Sequence, residues 1–204
     1  IDVVVSGSQK ALMLPPGLAF LTLSDRAWRL VEQAKSPRWY FDLRHYKKAL
    51  ADDDTPFTSS DSLLVDLDEA LKLILAQGVP RVLQQCQVMA QATRAGVEAM
   101  GLSLFAKRPS NGVTAVHAPA GIDTKKLVKH LQEHYQITLA GGQGEMAGKL
   151  FRVAHMGAIS PFDILVAVGA LELSLLELGV SVTPGDGLKA AQGVIGNLTP
   201  VGTR

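Results

Sequence analysis

The chain has 204 residues, 47% hydrophobic and 19% charged, enough apolar length to bury a core in one or two domains. Twenty basic against nineteen acidic side chains leave a formal charge of +1 and no basic stripe to grip a phosphate backbone, which argues against nucleic-acid binding. One cysteine, Cys86, excludes an internal disulfide framework and a cysteine-rich zinc module. No apolar run approaches a bilayer-spanning length, and no signal peptide opens the chain, so a soluble, cytoplasmic protein is expected. The chain starts at Ile1 with strand-like residues already in place, and a processed or truncated polypeptide is the expectation.

In chain order, the valine-rich residues 2–5 end on Ser6-Gly7-Ser8 and predict a short buried strand running into a turn, with Lys10 just past it. After Pro15-Pro16-Gly17 the apolar residues 18–23 predict a second strand, and Ser24-Asp25 is a good N-cap for a helix over 26–33. Residues 36–61, with Trp39-Tyr40-Phe41, Asp52-Asp53-Asp54 and Thr55-Pro56-Phe57-Thr58, predict an irregular surface loop. Leu63, Leu67, Leu71 and Ile74 recur at helical spacing until Gly78 and Pro80 interrupt them. A long amphipathic helix then runs through Val82, Cys86, Met89, Thr93 and Val97 to Gly101.

The remainder alternates. Strands are predicted at 102–107, 113–118, 137–140 and 150–155, with a helix at 123–135. A last helix follows Ser160-Pro161 and carries Leu165, Val168, Leu171, Leu175 and Leu178 at helical spacing. The tail after Ser181 is Gly-rich and expected to be loose. The fold class is α/β, with a boundary near Gly78.

Several stretches carry candidate chemistry, each with a plainer reading beside it. His130-Leu131-Gln132-Glu133-His134 matches a short zinc-protease spacing, but Lys125, Lys126 and Lys129 surround it and oppose a cation; a solvated helix face is the better reading, with no metal site. Gly141-Gly142-Gln143-Gly144 invites a phosphate loop. It lies between two predicted strands, though, and no Lys-Ser/Thr follows it, so a tight turn is favoured. Cys86 falls in register with Val82 and Met89, as a packing residue would. Arg152 interrupts the apolar strand Leu150-Phe151-Arg152-Val153-Ala154 and must alternate out to solvent or meet an anion. Lys10 sits at the C-terminal end of a strand, where ligands bind in α/β sheets. Partial desolvation there would make it a nucleophilic amine fit for Schiff-base chemistry, although a lysine beside a turn is usually solvated.

The segment Asp2-Val3-Val4-Val5-Ser6-Gly7-Ser8-Gln9-Lys10-Ala11-Leu12, followed by Pro15-Pro16-Gly17, closely resembles the cofactor-lysine segment of the class V aminotransferases, nearest to the alanine–glyoxylate and serine–pyruvate members. The likeness continues through Thr55-Pro56-Phe57-Thr58, Leu67-Asp68-Glu69-Ala70-Leu71, the Gly-rich loop and Lys149-Leu150-Phe151-Arg152-Val153, to about residue 178. Members of cyanobacterial type have carried the label of a soluble hydrogenase subunit, and one cysteine cannot hold a nickel–iron or iron–sulfur centre.

The resemblance implies the C-terminal half of the fold-type I, pyridoxal 5′-phosphate-dependent transferase fold: residues 1–78 as the end of the large cofactor domain and 79–204 as the small α/β domain. It implies that Lys10 forms the Schiff base with pyridoxal 5′-phosphate and shuttles the substrate Cα proton. Gln9 would touch the cofactor phosphate, Thr55 and Thr58 would reach the phosphate in a neighbouring subunit of a homodimer, and Arg152 would clamp the substrate carboxylate. The substrates would be alanine or serine as amino donor and glyoxylate or a similar small 2-oxo acid.

Two departures bear on this. Thr55 takes a position that is sometimes tyrosine, and Ser59-Ser60-Asp61 replaces a commonly proline-rich segment, which affects the expected dimer contacts. Family chains are about twice this length, and the N-terminal half would carry the Asp that pairs with the pyridine nitrogen; the isolated chain is therefore expected to be inactive. A cysteine desulfurase would need a reactive cysteine on a mobile loop, which Cys86 is not. The rival from another class is a non-catalytic fragment or assembly module of the same fold that binds no cofactor.

Overall fold

The computed structural model describes residues 1–197 and divides into two units, Ile1–Ala76 and the part from Gln77 onward.

In the first unit, β1 (Val3–Gly7) pairs antiparallel with β2 (Ala19–Leu23), Val3 opposite Leu23 and Gly7 opposite Ala19. Ser24 caps α1 (Asp25–Gln33), its hydroxyl accepting from the Ala27 amide and donating to Asp2 at 2.7 Å. The cap ties the start of β1 to the helix, and Arg26 pairs with the same carboxylate. The predicted burial of residues 2–5 is not observed: Val3, Val4 and Val5 are 48%, 49% and 71% exposed. A two-stranded ribbon hides little of either face, so β-branched composition produces a strand here without producing a core.

Residues 36–61 also differ from the expected irregular loop, because α2 (Leu43–Ala51) forms within them. It buries none of its residues; its start is fixed by Asp42, whose side chain accepts from the Arg44 amide. The Asp42 carboxylate is buried and takes Arg44 Nε at 2.9 Å and Arg38 Nε at 3.4 Å. Arg44 holds its carboxyl well below the usual range. The cap and the ion pairs supply what apolar periodicity does not. Next comes α3 (Asp61–Gln77).

The second unit opens with Gly78 at φ 88°, a left-handed conformation that favours glycine, and α4 (Val79–Ala99), with Pro80 in its first turn. The sheet has the order β3 (Val113–His117), β5 (Leu150–Ala154), β4 (Ala140–Gly141), antiparallel throughout. The expected strand at 102–107 reduces to one bridge, Leu104 to Val116. The strand at 137–140 shrinks to the two residues of β4, whose ladder ends in the Gly-rich loop. α5 (Thr124–Tyr135), capped by Asp123, and α6 (Pro161–Glu177), opened by a Ser160–Asp163 capping box, pack together around the sheet. The core is Met89, Val97, Leu127, Leu131, Phe151, Val153, Ile164, Leu171 and Leu175 with their neighbours.

The tail is not loose over its described part. α7 (Asp186–Ile195) packs on α4 and α6, and Glu172 of α6 explains how. Its buried carboxylate accepts from the Gly185 and Gly187 amides at 2.9 Å each. An acidic side chain from one helix thus caps the N-terminus of the next, where free N–H groups and the helix dipole both favour an anion. Residues 198–204, the end of the expected loose tail, lie outside the described residues.

Directly after β5, His155 is fully buried. Its Nδ1 lies 2.8 Å from the Asn111 carbonyl, which can only accept, so Nδ1 carries the proton and Nε2 accepts from the Thr114 hydroxyl at 2.9 Å. Burial, with the Arg94 charge nearby, lowers its pKa from the ordinary 6.5, against an opposing effect of the Asn111 bond.

Two predictions follow from this packing. Glu172→Ala leaves two buried amides without an acceptor and destabilises the α7 attachment by about 1–3 kcal/mol, read as faster hydrogen exchange at the α7 amides; Glu172→Gln, which keeps one acceptor, costs less. Because unfolded His155 binds a proton more readily than folded His155, the second unit loses stability as pH falls from 6.5 towards the lowered folded pKa. The limiting slope is about 1.4 kcal/mol per pH unit. Chemical denaturation across that window checks this, and His155→Gln flattens the slope.

Candidate functional site

The residues singled out by sequence fall into three places. Gln9 and Lys10 sit in the turn that follows β1, both exposed. The desolvation expected at Lys10 is therefore not supplied by this chain: its amine stands at the tip of a loop and not within the ribbon. What fixes the loop is Ser8, fully buried two residues before Lys10. Its amide donates to the Leu18 carbonyl at 3.1 Å and its carbonyl accepts from Leu14 at 3.2 Å. Its hydroxyl donates to the Pro15 carbonyl at 2.8 Å while accepting from the Leu18 amide at 3.2 Å. Met13, with φ 63°, closes the turn by donating to the Lys10 carbonyl at 3.1 Å. Ser8 is a positioning residue that sequence reasoning passed over. The clue was a small hydroxyl side chain between a strand and the Pro15-Pro16 return.

Thr55 and Thr58 lie in the segment between α2 and α3, both exposed. The Thr55 hydroxyl donates to the Phe57 carbonyl at 2.7 Å, and its amide donates to Asp54 at 2.7 Å. Phe57 stacks on Tyr40 with ring centroids 4.5 Å apart. Among the described residues no hydrogen bond joins this segment to the Lys10 loop.

Arg152 lies on β5, opposite Ala115 on one side and Ala140 on the other. Its neighbours Phe151 and Val153 are buried, and it is half-buried itself. Its Nε donates to the Gly141 carbonyl at 3.0 Å. The guanidinium has two further nitrogens, a planar fork of the kind that takes a carboxylate through two parallel bonds. The Gly-rich loop contains one short 3₁₀ turn, Gly144–Met146, between β4 and β5, as a tight return would.

The histidine pair of α5 serves packing. His130 Nε2 meets Glu177 of α6 at 2.6 Å, Tyr135 donates to the same carboxylate at 2.7 Å, and His134 stacks on His130. His130 first, then Tyr135, hold Glu177 below its ordinary pKa. Glu133 pairs with Lys129 instead. Among the described residues no group of three or more His, Cys, Asp or Glu could hold a metal ion. No helix among them is long and apolar enough to cross a membrane. Cys86 is half-buried on α4, and burial pushes its thiol pKa up, the opposite of an activated nucleophile.

The exposed Lys10 amine thus lies on a strand-end loop of the first unit, and the half-buried Arg152 on the central strand of the second. The comparisons narrow the class. No family model matches the chain. It is 42% identical over 198 residues, 96% of its length, to a protein described as the small subunit of a soluble hydrogenase from Synechococcus sp. (strain PCC 6716), of which it covers 51%. It is 38% identical over 199 residues to a serine–glyoxylate aminotransferase of Methylorubrum extorquens, matching 94% of this chain and 50% of that protein. The crystal structure of pyridoxamine–pyruvate aminotransferase from Mesorhizobium loti superposes with a TM-score of 0.89 at 36% identity, over 96% of this chain and 52% of that one. The chain shares ancestry and fold with the class V aminotransferases, pyridoxal phosphate enzymes of fold type I. It spans about half the length of the curated relatives it matches.

Ser8→Ala removes one buried bond in each direction and leaves the Leu18 amide without its side-chain acceptor. It is expected to loosen the Lys10 loop by about 1–2 kcal/mol, measured as faster amide exchange at Leu14 and Leu18 with the helices unaffected.

Proposed function

We propose that the protein carrying this chain is a pyridoxal 5′-phosphate-dependent aminotransferase. It moves an amino group from alanine or serine to glyoxylate or a similar small 2-oxo acid, as a cytoplasmic homodimer whose N-terminal half lies outside this chain. The observation that carries the reading is Arg152: a charged residue on an otherwise apolar strand, half-buried, with Nε anchored to the Gly141 carbonyl at 3.0 Å and a fork left over for an anion. The Lys10 segment and the aminotransferase relatives support it.

The residues present fit the cofactor. Lys10 offers an exposed primary amine on a loop braced by Ser8, able to condense with an aldehyde. Gln9 beside it, with Thr55 and Thr58 from a second copy, would hold the phosphate through neutral donors. When bound, pyridoxal 5′-phosphate supplies an aldehyde that captures amines and a conjugated ring that takes up an electron pair. With that group bound, Lys10 Nζ would take up the proton from the substrate Cα and later give one back, the work of a positioned general base and then acid. Arg152 would hold the substrate carboxylate through its planar fork. Residues 1–78 would end the large cofactor domain, and 79–204 would form the small one.

Hydrogenase chemistry, suggested by the name of the Synechococcus relative, finds no support in Cys86, the single cysteine of this chain, whose thiol pKa burial pushes up. The rival is a module of the same fold that never takes cofactor. The deciding experiment adds pyridoxal 5′-phosphate to the full-length protein, reduces with borohydride and maps the label. Modification at Lys10 is expected; its absence favours the module. Lys10→Ala is expected to lower kcat by at least about 10²-fold. Arg152→Lys, which keeps the charge and loses the fork, is expected to raise the amino-acid KM by roughly tenfold.

A further inference from the structure

The Gly-rich loop has no role in the proposed function, yet it touches the residue that carries it. The geometry points to Gly142 as a positioning residue that holds the Gly141 carbonyl against Arg152 Nε and so fixes the direction in which the arginine presents its fork. This rests on the reading of Arg152 as the carboxylate clamp.

A guanidinium can grip a carboxylate side-on, through Nε and one terminal nitrogen, or end-on, through the two terminal nitrogens. In this chain Nε is already spent on Gly141, which leaves the end-on approach and one orientation of the acid. The choice is made by where the Gly141 carbonyl lies. Gly141 pairs with Phe151 on β5, and the next amide, that of Gly142, donates to the Leu150 carbonyl at 2.8 Å. The chain then turns back tightly, with Met146 donating to the Gln143 carbonyl at 3.0 Å and Lys149 to the Met146 carbonyl at 3.1 Å.

That return passes directly over Gly142. A Cβ built there would overlap the Met146 carbonyl oxygen, lie 2.7 Å from the Met146 carbonyl carbon and 3.2 Å from Leu150 Cγ. The obstacle is backbone held by its own hydrogen bonds, so it cannot swing aside as a flexible side chain would. Gly142 is not among the positive-φ residues, so the demand is for space and not for a left-handed conformation. At Gly141 the same construction meets nothing within 4 Å. The restriction thus sits at the residue that shares a peptide plane with the carbonyl that holds Arg152.

The test uses the full-length protein with bound pyridoxal 5′-phosphate, alanine as substrate and propionate as an unreactive carboxylate probe. Gly142→Ala is expected to raise both the alanine KM and the calorimetric Kd for propionate by about tenfold, with kcat changed less than about threefold. In an Arg152→Gln background the same substitution should change the propionate Kd by less than about twofold. A general loosening of the fold would instead act equally in both backgrounds and lower kcat.

A tenfold loss with Arg152→Gln but none with Gly142→Ala overturns the inference and leaves the function standing. No loss with Arg152→Gln overturns the carboxylate role and the inference with it. Should Gly142→Ala fail to fold, nitrogen-15 NMR of the unaltered protein decides. A slowly exchanging Arg152 Nε–H that stays in place while propionate shifts the terminal nitrogens supports the proposal; an Nε–H exchanging as fast as in a free arginine refutes it.

Discussion

The second unit depends on the pleat of β5. Leu150–Ala154 is the central strand of its sheet, paired with β3 on one edge and β4 on the other, and successive side chains must leave it on opposite faces. Phe151 and Val153 therefore enter the core together, and Arg152 between them cannot. An unpaired guanidinium in that core would be prohibitive. On the opposite face its Nε finds a carbonyl, and among the described residues its terminal nitrogens make no hydrogen bond. The same strand leads directly into His155, whose tautomer is set by a carbonyl on one side and a hydroxyl on the other.

The first unit is held by different means. Its apolar strand residues and aromatic side chains stay largely exposed, among them Trp39 and Phe41, and its order comes from polar links. Ser24 joins Asp2 to the start of α1, Ser8 closes the loop that carries Lys10, and Asp42 gathers Arg38, Arg44 and a helix N-terminus. Exposed ion pairs contribute little, but a buried carboxylate or hydroxyl with every bond made fixes geometry, which is what a residue poised for chemistry needs. Lys10 is placed by bonds around it and not by its own burial.

Under the proposed function these two kinds of order divide the labour: Lys10 would move a proton from a braced turn, and Arg152 would orient an acid from a rigid strand. Among the relatives are a serine–glyoxylate aminotransferase and a pyridoxamine–pyruvate transaminase; a planar fork such as Arg152 would orient the carboxylate of an acid substrate of that kind.

Local signals in the sequence determined the helices at 25–33, 79–99, 124–135 and 161–177, because caps such as Ser24, Asp123 and Ser160 and a 3.6-residue apolar period act over a few residues. They also marked Lys10 and Arg152, the first by the motif around it and the second by its misfit on an apolar strand. Tertiary structure decided the rest. Whether β1 is buried, whether the tail forms α7 and which carbonyl Arg152 Nε meets all depend on residues far away in sequence: a ribbon with both faces open, Glu172 reaching the Gly185 and Gly187 amides, and Met146 folding back over Gly142. Periodicity records which side chains share a face, but a hydrogen bond across a turn or between helices exists only once the chain has closed on itself.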